Sequence, residues 1–130
     1  MTDPASEDAL VAAAGNARRN ALCHYSGFAV GAAIEDGDGT IWGGCNVENS
    51  TFGLTVCAER VAIWKALSEG VRKFRAVAVV TGADSPTPPC GACRQILWQF
   101  AGDVPIVSAT TAGSRKRYRL SEIFPEPFDF

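Results

Sequence analysis

The 130-residue chain predicts an α/β fold, a mixed sheet with helices on both faces. Three observations carry that expectation. Two extended segments flank Asp36-Gly37-Asp38-Gly39, a turn-forming run, as in an antiparallel hairpin. Two later segments, 75–81 (RAVAVVT) and 104–109, are apolar and β-branched enough to be buried strands. A helical stretch lies between these two, and strand–helix–strand connections form right-handed crossovers between parallel strands.

In chain order, Asp3-Pro4 offers an N-cap and a first-turn proline. The helix they start runs to about Leu22, with Leu10, Val11, Ala14, Ala17 and Ala21 on one stripe. Residues 28–35 form a strand and 40–47 its hairpin partner. The polar segment 48–53 leads into a second helix over 57–69, closed by Gly70. After the strand 75–81, the segment 82–89 contains three prolines and is a loop. A helix over 91–100 and the strand 104–109 follow. Arg115-Lys116-Arg117-Tyr118-Arg119 reads as a short edge strand whose charges block unwanted pairing, in preference to a nucleic-acid patch. Ser121 opens a last helical turn. With no repeat, low-complexity tract or linker, residues 1–130 read as a single domain.

Apolar residues make up 47% and charged residues 20%, the profile of a soluble chain with a real core. Twelve basic against fourteen acidic residues leave a net charge of −2, which disfavours nucleic acid and anionic membrane as partners. No apolar run approaches the ~18 residues of a membrane span. The opening MTDPASEDAL is acidic, unlike a secretory signal, so a cytoplasmic location is expected. The five cysteines, Cys23, Cys45, Cys57, Cys90 and Cys93, then suit metal binding better than a disulfide framework.

Cys90 and Cys93 form a C-x-x-C where the proline-rich loop enters a helix. That spacing lets two thiolates grip one metal, and a helix N-terminus favours their ionised forms. Cys57 also stands at a helix start. If both helices aim at one point, three sulfurs meet there, matching a catalytic zinc with one position left for water. A structural zinc would need a fourth protein ligand, with Cys23, Cys45 and His24 as candidates, and it would leave Glu59 unexplained. Residues i and i+2 do not share a helix face, but first-turn side chains aimed at a metal can converge on it. Glu59 could then take a proton from water and return it. Arg60, three residues after Cys57, and Arg94, following Cys93, are candidates to bond the sulfurs and offset their charge. Arg60 is the better placed.

The C-A-E and P-C-x-x-C motifs resemble those of zinc-dependent nucleoside and nucleobase deaminases, whose general mechanism is known. The blocks FAVGAAI, GGCNVENSTFGLTVCAER and PPCGACRQIL together resemble the small homotetrameric cytidine deaminases, over about Tyr25 to Phe128. The resemblance implies a three-layer α/β/α sandwich with five strands, and one zinc per subunit on Cys57, Cys90 and Cys93. It implies that Glu59 shuttles protons to the pyrimidine N3 and then to the departing amino group. Asn46 and Glu48 would bond the ribose 3′-hydroxyl, Phe28 would stack on the base, and the backbone at Ala58 would hold the base edge. Cytidine and 2′-deoxycytidine are the expected substrates, in pyrimidine salvage. A homotetramer with shared active sites is also implied, Phe52 and Phe128 being the candidate lent groups.

His24 stands where that family usually has proline, and Phe52 where tyrosine is usual. Cys23 and Cys45 are extra thiols, expected to be buried. Three other readings compete. One is a deaminase of a modified cytidine or a nucleoside antibiotic. A polynucleotide deaminase would want a basic channel. The third is a non-catalytic zinc-binding module.

Overall fold

The computed structural model describes residues 4–129, so the proposed N-cap Asp3 lies outside the described residues. Helix α1 (Pro4–Arg18) is followed by the hairpin β1 (Val30–Asp36) and β2 (Ile41–Cys45). Helix α2 (Ala58–Ser68), strand β3 (Phe74–Thr81), helix α3 (Gly91–Ala101) and strand β4 (Pro105–Thr110) come next. Strand β5 (Arg115–Arg119) and the short α4 (Leu120–Ile123) complete the order.

The five strands lie in the order β2-β1-β3-β4-β5. Only β3 and β4 run parallel, as the helix between them requires, and the other neighbours are antiparallel. Side chains alternate between the two faces along each strand, and the core divides accordingly. Leu10 and Ala14 of α1 pack with Ala33, Ala78 and Val80 on one face. Ala58, Ala62 and Ile63 of α2 and Leu97 of α3 pack with Ile34, Val77 and Val79 on the other. The result is the expected three-layer sandwich. No helix among the described residues is long and apolar enough to cross a membrane.

Several element boundaries differ from the sequence expectation, and at two of them a long-range contact wins over local pattern. Helix α1 stops at Arg18 because Leu22 instead bridges to Val47, giving its N–H to Asn46 O and accepting from Glu48 N. Strand β1 begins at Val30, two residues later than expected. Before it, the Asn46 side chain takes the place of a neighbouring strand: Oδ1 accepts Val30 N–H at 2.9 Å and Nδ2 donates to Phe28 O at 2.8 Å. Strand β5 is an edge, as expected, but its arginines are not merely solvated. Arg115 and Arg117 both pair with Glu7 of α1, and Arg119 with Asp103.

Glycine lets α2 approach the sheet closely. A Cβ on Gly44 would lie 2.5 Å from Ala62 N and 2.6 Å from Ala58 O, both backbone atoms that cannot give way. Gly44→Ala should therefore cost ~1–3 kcal/mol, the usual range for overpacking. It should also displace the helix start that carries Cys57 and Glu59. Thermal unfolding together with zinc content checks this, and an unchanged pair of values would contradict it.

Candidate active site

Both α2 and α3 start with a cysteine. Cys57 is the N-cap of α2 and Cys90 that of α3, and each has extended backbone torsions. Neither uses its side chain to cap the helix, so both sulfurs are available elsewhere. Cys93, in the first turn of α3, is fully buried. Cys57 Sγ lies 3.8 Å from Cys90 Sγ, which lies 3.5 Å from Cys93 Sγ, and all three sulfurs fall within 4.8 Å of one another. A tetrahedral zinc with ~2.3 Å bonds to sulfur places its ligands roughly 3.8 Å apart. The trio therefore fits zinc in donor type and in spacing. Among the described residues it is the one group of three or more such donors close enough for a metal.

The electrostatics of the cluster favour a thiolate at Cys57. The bond with Cys93, assisted by Arg60 against the effect of burial, pulls the Cys57 thiol down to about 5. Cys93 is pushed the other way, by that same bond and by its burial. Arg60 Nη2 donates to Cys57 Sγ at 3.2 Å, and its guanidinium lies 6.0 Å from the Trp64 ring centre. Arg94 does not bond the sulfurs, contrary to expectation. It shares a helix face with Cys90, four residues before it, but the carbonyls of Pro89 and Ile123 take its guanidinium instead. It ties the proline loop to the chain's C-terminal segment.

Glu59 is 6% exposed. Burial, with the nearby Cys57 adding to it, pushes its carboxyl up to about 7. A carboxyl poised there can both accept and donate a proton near neutral pH. Glu59, Cys57, Ala58 and Cys90 line a cavity of about 300 Å³. That is near the lower limit of ~300–1,000 Å³ for small-molecule sites, a volume for one small ligand.

Ser26, Phe28, Asn46 and Glu48 line the same cavity. Glu48 holds the loop carrying Phe28: Oε1 accepts from Tyr25 N at 3.2 Å and Ser26 N at 3.0 Å, and Oε2 from the Ser26 hydroxyl. These donors, the Ser26 hydroxyl foremost, lower its pKa. A carboxylate offers about four acceptor positions, so three bonds leave room for one more partner. Asn46 likewise keeps one N–H and one lone pair after its two backbone bonds.

The remaining expectations diverge. Phe52, in a single 3-10 turn (Phe52–Leu54), is 73% exposed, and Phe128 is 71% exposed. Neither lines the cavity of its own chain. Cys23 and Cys45 are half-buried rather than buried, and neither joins the sulfur cluster. His24 is exposed, its ring 4.2 Å from that of Tyr25, so neither it nor these thiols supplies a fourth ligand. Sequence reasoning missed Ser26, Thr55, Thr81 and Thr87, which also line the cavity. For Ser26 and Thr87 the only signal was a hydroxyl close to a motif residue, two before Phe28 and three before Cys90.

A trio of sulfurs and a buried acid at two helix starts, with Cys57, Cys90 and Glu59 opening on one small cavity, defines a zinc-dependent deaminase type of site. The comparisons agree. Residues 4–109 match the model of the cytidine and deoxycytidylate deaminase zinc-binding region. The chain is 44% identical to the cytidine deaminase of Sporosarcina psychrophila over 120 residues, 92% of this chain and 88% of that one. It is 42% identical to the cytidine deaminase of Halalkalibacterium halodurans over 120 residues, again 92% of this chain and 91% of the relative. The crystal structure of cytidine deaminase from Burkholderia pseudomallei superposes with a TM-score of 0.91 at 40% identity, covering 98% of this chain and all of that one. This chain belongs to the cytidine and deoxycytidylate deaminase zinc-binding family.

Proposed function

We propose that the chain is a single catalytic domain that hydrolyses cytidine and 2′-deoxycytidine to uridine and 2′-deoxyuridine with release of ammonia. One observation carries the proposal: Glu59 and two sulfurs of the trio, those of Cys57 and Cys90, line the same cavity as Asn46 and Glu48. Cys57, Cys90 and Cys93 would hold zinc. Bound there, zinc supplies the Lewis acidity that makes water nucleophilic at neutral pH.

The chain's own residues do the rest. Glu59 takes a proton from the attacking water and gives it to N3 of the pyrimidine. It then carries a second proton to the amino group, which leaves C4 as ammonia. First-turn N–H groups have no intrahelical acceptor, and that of Ala58 binds the base carbonyl. Phe28 stacks on the ring. Asn46 and Glu48 use their spare bonding capacity on the ribose 3′-hydroxyl. Arg60, bonded to Cys57, offsets the negative charge of three thiolates.

The sugar contacts make a test. Sites built to bond a substrate hydroxyl reject analogues lacking it by up to ~10⁴-fold. Ammonia release should be fast from cytidine and 2′-deoxycytidine, poor from the 2′,3′-dideoxy analogue and barely measurable from free cytosine. Glu48→Ala should narrow the gap between cytidine and the dideoxy analogue, mainly by damaging the better substrate. Free cytosine turned over as well as cytidine would overturn the nucleoside assignment.

A cytoplasmic homotetramer with shared sites completes the proposal. It is supported by Phe52 and Phe128, large apolar rings left exposed and outside their own chain's cavity. Sedimentation should find four chains. Refolded mixtures of inactive Glu59→Ala and Phe128→Ala proteins should exceed either parent in activity. A monomer, or mixtures no better than their parents, would contradict sharing of Phe128.

A further inference from the structure

Two lining threonines of the cavity are used by neither the sugar nor the proton chemistry. Thr81, at the end of β3, and Thr87, in the proline loop before Cys90, both line it. Thr81 is 1% exposed. Its Oγ1 lies 3.4 Å from Thr87 Oγ1 and accepts Ala83 N–H at 3.3 Å. Both contacts exceed the usual ~2.7–3.0 Å, so neither hydroxyl is saturated. A hydroxyl has one proton and two lone pairs. A bond between the two uses one proton of the pair, leaving the other, with spare lone pairs, for a ligand. Val79 and Pro88 also line the cavity and add no polar side-chain atom.

The proposed reaction, on which this inference rests, orients the base. N1 carries the sugar and C4 lies across the ring from it. With the sugar at Asn46 and Glu48 and C4 at the sulfurs, two flanks remain. Glu59 must reach N3, so the N3 and O2 flank lies along the start of α2. Among the lining residues that neither the sugar nor Glu59 takes, Thr81 and Thr87 are left to meet the C5 and C6 flank.

We propose that Thr81 and Thr87 read the C5 substituent of the pyrimidine, favouring a small hydrogen-bonding group over an apolar one of equal size. A C5 hydroxyl can accept the spare threonine proton and donate its own. A C5 methyl of nearly the same size leaves that proton unpaired.

The test compares 5-hydroxycytidine with 5-methylcytidine as substrates of the zinc-loaded wild type and of Thr81→Val/Thr87→Val. Valine keeps threonine's shape and removes only the hydroxyl. The difference in intrinsic reactivity between the two substrates is the same for both enzymes and cancels. The ratio of kcat/KM, 5-hydroxy over 5-methyl, should fall by about 3- to 10-fold in the double variant, the effect of one neutral hydrogen bond. Because the ratio is read within one protein, partial loss of folded enzyme does not alter it. Should the double variant fail to fold, Thr87→Val, in the loop, gives the same readout. A ratio within about twofold of wild type, with cytidine still turned over, overturns this inference and leaves the deaminase assignment standing. Failure of the zinc-loaded wild type to deaminate cytidine overturns both.

Discussion

Glu59→Gln should keep the fold and the zinc and lose deamination by about 10²–10⁴-fold, the usual worth of a general acid/base group. The upper end is expected because one carboxylate serves successive proton transfers. Glutamine matches glutamate in volume and carries no charge. A side chain only 6% exposed therefore suffers less from burial after the change, and unfolding should show no loss of stability. The amide cannot take a proton from water at neutral pH, so kcat should collapse while cytidine still binds. Steady-state kinetics with metal analysis on the same sample checks all three parts. A variant retaining most of its turnover would remove Glu59 from the chemistry.

Cys93→Ala should lose zinc and activity together, taking turnover to the uncatalysed background. Cys93 is fully buried beneath the other two sulfurs, so no water-exposed group can replace it as a ligand. Two sulfurs at helix starts remain, too few for a closed protein set around zinc. Because a metal bound only by the folded chain stabilises it, the variant should melt below the zinc-loaded wild type. It should melt close to wild type stripped by a chelator. Zinc content, activity and melting temperature read the effect. Full zinc occupancy in Cys93→Ala would take this sulfur out of the metal site.

The sequence made the chemistry easier to locate than the walls around it. Cys57, Cys90 and Cys93 were legible because thiols at helix starts have few structural uses, and the chain places both starts together. The strands were legible from β-branched runs, yet two element ends were not. Leu22 and Val30 owe their conformations to Asn46, Val47 and Glu48, some two dozen residues away or fewer, and no local window contains that pairing. Arg60 and Arg94 looked similar in sequence. Spacing does not separate them, since Arg60 is three residues after Cys57 and Arg94 four after Cys90; only the fold shows that the carbonyls of Pro89 and Ile123 take Arg94. Thr81 stayed hidden because threonine at a strand end matches β propensity. Only the fold shows that its hydroxyl borders the cavity. Cys23 and Cys45 were expected to be buried on residue type alone, and the structure leaves both partly open to solvent.

One diffraction measurement tests the central claim most directly: data collected at the zinc absorption edge from crystals of Glu59→Gln grown with zinc and cytidine. The account predicts a single anomalous peak per chain among the sulfurs of Cys57, Cys90 and Cys93. It also predicts intact cytidine with C4 toward that peak, N3 toward residue 59, and the ribose 3′-hydroxyl on Asn46 and Glu48. Zinc elsewhere, or a nucleoside bound with its sugar toward the sulfurs, would contradict it.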